Sequence, residues 1–141
     1  MKTAHAQPVP DPELVAGLER FVSTIEARLP ELKGRTICIL PRDWIAGRHA
    51  SAYLRLSRRV VENELVLCFD LASISVDEDM RGQGIVRDLI GRIEMQFGSR
   101  MPIFVESVLE PRLARFLHGR GYRAYEIDGG RSVMRPPRPE P

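Results

Sequence analysis

The feature that most constrains this chain is an apolar run that leads through a glycine-rich turn directly into a helix. The run spans Leu65 to Val76, reads LVLCFDLASISV, and is typical of a central strand buried on both faces. The segment Gly84 to Phe97 repeats apolar residues at helical spacing, and Gly98 is placed to end that helix. The sequence therefore predicts an α/β fold built around this strand–turn–helix unit.

The rest of the chain extends this pattern on both sides. Asp11 and Pro12 suit the start of a first helix, and Pro30 is expected to stop it. Pro41–Ala50, which carries the only tryptophan, reads as a loop. A polar turn at Glu62–Asn63–Glu64 makes the apolar run the second strand of an antiparallel hairpin.

The further elements follow from periodicity and from glycine and proline positions. The order αβββαβαββ predicts a mixed sheet of about six strands with flanking helices. The apolar run and the strand after the second helix become parallel neighbours if they pair. The remaining predicted elements are strands Arg35–Leu40, Ser51–Val61 and Pro102–Leu109, a short helix Pro111–Arg120 capped by Gly121, and strands Tyr122–Ile127 and Ser132–Met134 around a Gly129–Gly130 turn.

Composition limits the class of protein. The chain has 141 residues, of which 43% are hydrophobic and 28% charged, as expected for one globular domain over 11–134. Residues 1–10 and the proline- and arginine-rich 135–141 are expected to be flexible. No apolar run is long enough for a membrane span, and no secretory signal is evident. Cys38 and Cys68 read as buried reduced thiols, which predicts a cytoplasmic protein.

The turn before the second helix has the chemistry of an anion site. The first N–H groups of a helix lack partners, and the helix dipole adds positive charge there. Gly82 and Gly84 place no side chain between a ligand and those groups, and Arg81 adds a positive charge. A phosphate or diphosphate is the natural ligand. On this stretch alone, a tight turn that uses glycine only for backbone reasons explains the sequence as well.

The stretch VDEDMRGQGIV resembles motif A of the GNAT superfamily of acetyl-CoA-dependent N-acetyltransferases, with Arg81, Gly84 and Val86 at its marked positions. VESVLEPRLARFLHGRGY, ending at Gly121–Tyr122, resembles the family's motif B. The resemblance covers roughly 100 residues, and the element order from Arg35 onward also matches.

This resemblance implies a donor site for acetyl-CoA. Backbone groups near Ile74 and Val76 would pair with the pantetheine arm, which would lie where two central strands splay apart. The diphosphate would bind the N–H groups of the turn and the first helical residues. Those residues are Arg81, Gly82, Gln83, Gly84, Ile85 and Val86.

The acceptor amine must lose a proton, because an ammonium has no lone pair. The candidates for this catalytic role are Asp70, on the apolar strand, and Glu106, on the strand that splays from it. A purely structural explanation is also available for each. Asp70 would pair with Arg55 or Arg59 across the hairpin, and Glu106 would form an ion pair between strands. The three histidines show no metal-binding spacing, so no metal is expected.

Three positions depart from the family pattern. Val86 stands where glycine or alanine is usual, Glu110 where many members have asparagine, and Leu117 where many have the tyrosine that protonates the leaving thiolate. Val86 and Leu117 favour an alternative function, a non-catalytic GNAT-fold module that binds a partner protein or nucleic acid. A third hypothesis is an unrelated α/β domain with a phosphate-binding turn.

The identity of the acceptor is not encoded in these motifs. Arg55 and Arg59 share a strand face, which suggests an acceptor that carries phosphate or carboxylate, whereas a charged strand that resists aggregation explains them equally. The net charge of +2 neither requires nor excludes a nucleic-acid partner. No membrane partner is expected, and family members are often dimers, so a homodimer is one expectation.

Overall fold

The computed structural model describes residues 9–34, 39–106, 108, 110–125 and 132–139. Its elements follow the predicted order αβββαβαββ, with a short 3₁₀ turn at Glu78–Met80. The helices are α1 (Pro12–Lys33), α2 (Ile85–Phe97) and α3 (Pro111–Gly119). The strands are β1 (Arg42–Ala46), β2 (Ala50–Val61), β3 (Glu64–Val76), β4 (Ile103–Val105), β5 (Arg123–Tyr125) and β6 (Ser132–Arg135).

The six strands form one mixed sheet in the order β1-β2-β3-β4-β6-β5. β3 and β4 are parallel, with Asp70 opposite Phe104, and every other neighbouring pair is antiparallel. The long hairpin is confirmed, with a turn of two residues rather than three. Glu62 and Asn63 have φ of 51° and 68°, as a tight hairpin turn requires, and Glu64 already pairs with Val61.

Helix α1 starts as predicted but continues past Pro30. The Asp11 carboxylate accepts from Leu14 N–H, and Pro12 occupies the first turn. The prediction that Pro30 stops the helix is wrong, because the helix runs to Lys33. A proline this close to the end removes only one intrahelical bond. Leu32, which is buried, continues the apolar stripe and favours the last turn.

The first strand lies later in the chain than predicted. Of the predicted strand Arg35–Leu40, residues 35–38 lie outside the described residues, and Ile39 and Leu40 are not in a strand. The predicted loop Pro41–Ala50 instead contains β1. It is an edge strand in which only Ile45 is buried, against Gly17 of α1. One buried residue in five gives no alternating signal, which is why the sequence suggested a loop.

The second half of the chain also has shorter strands than predicted. β4 covers three residues of the predicted Pro102–Leu109, within which residues 107 and 109 are not described. α3 ends at Gly119, and Gly121 follows with φ +92°. β5 lies within the predicted Tyr122–Ile127, and β6 extends one residue beyond the predicted Ser132–Met134. Residues 126–127 and the Gly129–Gly130 turn are outside the described residues.

The main core lies between the sheet and helices α1 and α2. The Phe69 ring on β3 stacks on Phe97 of α2, with centroids 5.1 Å apart, and meets Phe21 of α1 edge-on at 6.0 Å. α3 packs against α2, where Tyr122 Oη donates to Glu94 (2.9 Å). Cys68 is buried and free, as predicted, whereas Cys38 lies outside the described residues.

Arg135, where the predicted flexible tail begins, is the last residue of β6. Arg138 N–H donates to Gly98 O at the end of α2 (2.8 Å). In the described segments, no helix combines the length and apolar character that a membrane span needs.

Candidate functional site

Beyond Leu71, strand β3 has a strand neighbour on one side only. Its pairing with β4 ends at Leu71 and Val105, and a last backbone bond runs from Glu106 N to Leu71 O (3.1 Å). β3 nevertheless continues to Val76 and stays paired with β2 on its other side. No strand among the described residues pairs with the second edge of residues 73–76, so the sheet opens there.

A bulge in β3 marks the start of this opening. Leu54 of β2 lies opposite Leu71, but the next residue, Tyr53, lies opposite Ser73. Ala72 is therefore an extra residue without a cross-strand partner, which is the definition of a β-bulge. Such an insertion changes which residues of the strand direct their backbone groups to each side.

After the bulge, Ile74 and Val76 face the opening. Asp77 N–H donates to His49 O, on the β2 side (2.8 Å). Because alternate residues of a strand direct their N–H and C=O groups to opposite sides, those of Ile74 and Val76 point away from β2. Val76 O accepts from Arg81 Nε there (3.2 Å). The backbone groups of both residues therefore face the side of β3 on which the described residues supply no neighbouring strand.

The turn that follows has an unusual backbone. Gly82 and Gly84 have φ of +82° and +90°, values that residues with a Cβ seldom adopt. A Cβ added to Gly82 would meet nothing within 4 Å. Its glycine identity therefore follows from the backbone angle and leaves the turn open to a ligand. Gly84 also caps α2, with no side chain bonded to the helix end.

The amides of this turn have no acceptor among the residues that the structure describes. The first helical bond of α2 runs from Asp88 N to Gly84 O (2.9 Å), and the N–H groups of residues 82–87 have no acceptor in the described structure. Arg81 and Arg87 are exposed on either side of them. Six unpaired donors at the positive end of a helix dipole form an arrangement that can bind a diphosphate.

Two of the departures from the family pattern have structural explanations. The Val86 side chain packs against the core, so at least part of this branched side chain points away from the turn. The Glu110 carboxylate caps α3 by accepting from Arg112 N (3.0 Å) and Leu113 N (2.8 Å), and these bonds hold its pKa below the usual value. Leu117 is buried in the core, and its hydrocarbon side chain has no acidic proton to give to a leaving group.

The two candidate carboxylates meet in one ion-pair network on the sheet face opposite α1 and α2. Arg55 Nε lies 2.9 Å from Asp70 Oδ2, and Arg55 Nη2 lies 2.6 Å from Glu106 Oε2. Arg59 Nη2 lies 3.2 Å and 3.3 Å from the same two oxygens. Both structural explanations considered for these carboxylates are therefore observed, and the network has no net formal charge.

The two carboxylates differ in their access to solvent. The Asp70 side chain is 0% exposed, and its Oδ1 is buried without a hydrogen-bond partner in the described structure. The Glu106 side chain is 21% exposed and follows the last backbone bond between β3 and β4. Burial raises the pKa of Glu106, while Arg55 opposes this shift and the charge of Asp70 adds to it. Of the two carboxylates, only that of Glu106 is accessible to solvent.

Aromatic and thiol groups surround this network. The Arg59 guanidinium lies 4.1 Å from the centroid of the Phe104 ring, and that ring meets Tyr125 edge-on. Burial raises the pKa of the Cys68 thiol to about 12, so it stays protonated at neutral pH. No cluster of three potential metal ligands occurs among the residues that the structure describes.

Two features of this region were not predicted from the sequence. Trp44 on β1 is 64% exposed and stacks on Tyr53 with ring centroids 4.8 Å apart; it was missed because its segment was predicted to be a loop. Val9 N–H donates to Gln83 O in the glycine turn (2.9 Å). No local pattern could reveal this second contact, which joins residues 74 positions apart.

Comparison with known proteins gave matches to structures only. No protein-family model matches the chain, and no curated protein matches its sequence. Among solved structures, AtaT in complex with acetyl-methionyl-tRNAfMet matches with a TM-score of 0.52 and 15% identity, covering 86% of this chain and 82% of AtaT.

Two further structures have TM-scores of 0.50. The KacTA–DNA complex is 15% identical, and a mutant AtaT toxin bound to the C-terminus of the antitoxin AtaR and acetyl-CoA is 19% identical. Each match covers 84% of this chain, and they cover 79% and 78% of the matched chains, respectively. The predicted architecture is therefore confirmed: this chain has a GNAT-like α/β fold and shares it with these structures at low sequence identity.

Proposed function

We propose that the chain is an acetyl-CoA-dependent N-acetyltransferase that transfers the acyl group to a primary amine. One observation carries this proposal. The unpaired edge of β3 at Ile74 and Val76 runs directly into a turn whose amides, from residue 82 to residue 87, have no acceptor in the described structure. An extended arm that ends in a diphosphate fits the strand edge and the free amides together.

The donor would bind mainly through the backbone. Ile74 and Val76 would pair with the amide groups of the pantetheine arm as a neighbouring strand does. The N–H groups between Gly82 and Val86 would bind the diphosphate, with the exposed Arg81 beside them. Because most of these contacts use main-chain atoms, the site depends on backbone shape more than on side-chain identity.

Glu106 is the group we assign to remove the proton from the acceptor. The amine nitrogen attacks the thioester carbonyl carbon, the C–S bond breaks, and the electron pair leaves on sulfur. Glu106 takes the ammonium proton, directly or through water, and a raised pKa suits a base that works near neutral pH. Asp70 is fully buried, so we assign it a positioning role through Arg55 and Arg59. Since Leu117 has no acidic proton, the second proton that the nitrogen loses on forming the amide passes through water to the departing thiolate.

Two kinds of acceptor amine fit this proposal, an anionic one and a neutral one. Two of the structural neighbours are bound to a tRNA and to DNA, which supports an amine on a nucleic acid and hence an anionic acceptor. Against this, Arg55 and Arg59 are each paired with carboxylates. An anionic acceptor that uses these arginines should therefore bind more weakly as salt increases, whereas a neutral amine should not.

A homodimer is an additional hypothesis.

The donor site can be tested by calorimetric titration of acetyl-CoA into the protein and into two variants, Gly84→Asp and Gly84→Asn. The two substitutions have nearly the same shape, and both must adopt the positive φ of Gly84, but only aspartate is negatively charged. We expect the aspartate variant to lose at least about tenfold more affinity than the asparagine variant, since the carboxylate repels the diphosphate. Equal affinities, or no binding by the unmodified protein at millimolar acetyl-CoA, would contradict the proposal.

A non-catalytic binding module is the second candidate function. The observation in its favour is Leu117, which is buried where many family members have a tyrosine. The two functions differ in turnover. If the protein binds acetyl-CoA but releases no free thiol with any amine or aminoacyl-tRNA in a broad panel, the binding module is the better description.

A further inference from the structure

A single backbone hydrogen bond joins the segment before α1 to the glycine turn. Val9 N–H donates to Gln83 O at 2.9 Å. The two residues are far apart in sequence, and the Val9 side chain is 43% exposed. The contact therefore depends on the main chain of Val9 rather than on its side chain.

This bond fixes the orientation of one peptide group in the turn. Gln83 O and Gly84 N belong to the same planar trans peptide, so their C=O and N–H bonds point in opposite directions. A contact that holds Gln83 O toward Val9 therefore directs Gly84 N–H to the other side. Without it, this peptide can rotate, because Gly84, which follows it, adopts positive and negative φ about equally well.

The position of Val9 is itself well determined. Two residues later, the buried Asp11 carboxylate accepts from Leu14 N (3.3 Å), Arg48 N (3.0 Å) and His49 N (2.8 Å). Burial alone would raise the pKa of Asp11, but these N–H groups hold it below the usual value. The carboxylate thus fixes the start of α1 to the segment that precedes β2.

The Asp11 carboxylate also holds the other end of the turn, through His49. His49 O accepts from Asp77 N (2.8 Å), immediately after β3. The turn is therefore tied at Asp77 through His49 and at Gln83 through Val9, and both ties lead to Asp11. These hydrogen bonds, linked through the Asp11 carboxylate, hold both ends of the segment between Asp77 and Gln83, where the free amides begin.

We infer that Val9 is a positioning residue for the donor site: its N–H sets the Gln83–Gly84 peptide so that Gly84 N–H faces the diphosphate. The inference rests on the proposed function, because it assumes that these amides bind the donor. It adds to that function a specific role for the segment before α1, which none of the donor-binding motifs includes.

The test compares Val9→Pro with Val9→Ala. Proline removes the one N–H involved, and its φ suits a residue that precedes Pro10. Alanine removes most of the side chain and keeps the N–H. In calorimetric titrations with acetyl-CoA, we expect the proline variant to bind about three- to tenfold more weakly, the change that loss of one hydrogen bond produces. The alanine variant should bind like the unmodified protein.

A second readout needs no ligand. The ¹³C chemical shift of the Gln83 carbonyl reports its hydrogen bond, so it should move in the proline variant and stay in place in the alanine variant. The Gly84 amide resonance should shift or broaden in the proline variant alone as the peptide rotates. Thermal unfolding of both variants shows whether a general loss of stability explains the result.

The outcomes separate this inference from the proposed function. If the unmodified protein binds acetyl-CoA and both variants bind it equally, only the role of Val9 is overturned. An unchanged Gln83 carbonyl shift in the proline variant also overturns that role. If the unmodified protein does not bind acetyl-CoA, the proposed function fails and the role of Val9 fails with it, whatever the carbonyl shift shows.

Discussion

Phe69 and Asp70 are neighbours on β3 and are equally inaccessible to solvent, yet they are buried in different ways. The Phe69 ring is enclosed by whole helices, through Phe97 on α2 and Phe21 on α1. Asp70 points to the opposite face, where Arg55 and Arg59 lie against it from the neighbouring strand. One face of the strand is covered by secondary-structure elements, and at Asp70 the other is covered by long charged side chains.

The two faces of the sheet therefore contribute differently to stability and to function. Apolar packing on the helix face supplies most of the stability, because hydrophobic burial is the dominant favourable term in folding. A buried ion pair adds little net stability, since desolvation offsets much of its attraction. The charged face is therefore where a function is expected, and Glu106 lies on it beside the opening of the sheet.

The largest expected effect is on the helix face. Replacing Phe69 by alanine removes a fully buried ring that touches two helices, and we expect a loss of about 3–5 kcal/mol in the free energy of unfolding. Urea denaturation measures this, and Phe69→Leu serves as a control that should lose much less. A loss below about 1 kcal/mol for the alanine variant would mean that apolar packing does not dominate the stability of the helix face.

A smaller loss is expected on the charged face. Asp70→Asn keeps the shape of the side chain and removes its charge, leaving Arg55 and Arg59 with Glu106 alone. We expect a cost of roughly 2–3 kcal/mol, below the value for a fully isolated buried charge because both arginines are partly exposed. The matched control is Asp43→Asn on exposed β1, which should change stability by less than about 0.5 kcal/mol. Similar losses for both variants would show that the network is not a buried one.

The smallest effect is a pH dependence at Glu106. Its pKa is raised in the folded protein above the usual 4.5, so the folded state holds the proton more tightly than the unfolded state. The corresponding stability is fully present below about pH 4.5 and is lost as pH rises through the folded pKa. The free energy of unfolding of the unmodified protein, minus that of Glu106→Gln, should therefore fall over this range in urea titrations. A difference that stays constant or rises with pH would contradict a raised pKa for Glu106.

The glycine turn and the elements on either side of it were predictable because they are encoded locally. An apolar strand, two glycines and an amphipathic helix follow one another between Leu65 and Phe97. Backbone geometry alone turns that order into a strand edge and a set of free amides. The sequence could not show the bulge at Ala72 that directs Ile74 and Val76 toward the opening, since it arises from the pairing of two strands.

The errors of prediction have a common cause. Pro30 was expected to end α1, and the segment that contains β1 was expected to be a loop. In both places, the burial of a side chain in the tertiary structure decides the conformation, against the preference of the local sequence. Leu32 is buried in the core, and Ile45 packs on Gly17. Local propensity is a weak guide wherever a single buried side chain decides the conformation.

By itself, the sequence determined the element order, the GNAT resemblance and the glycine turn, because each depends on residues that are close together in the chain. Only the tertiary structure decided how the charges are arranged. The register between β2, β3 and β4 brings Arg55, Asp70 and Glu106 into one network. Strand register depends on packing across the whole sheet, so the partners of a side chain on the charged face are fixed only when the chain is folded.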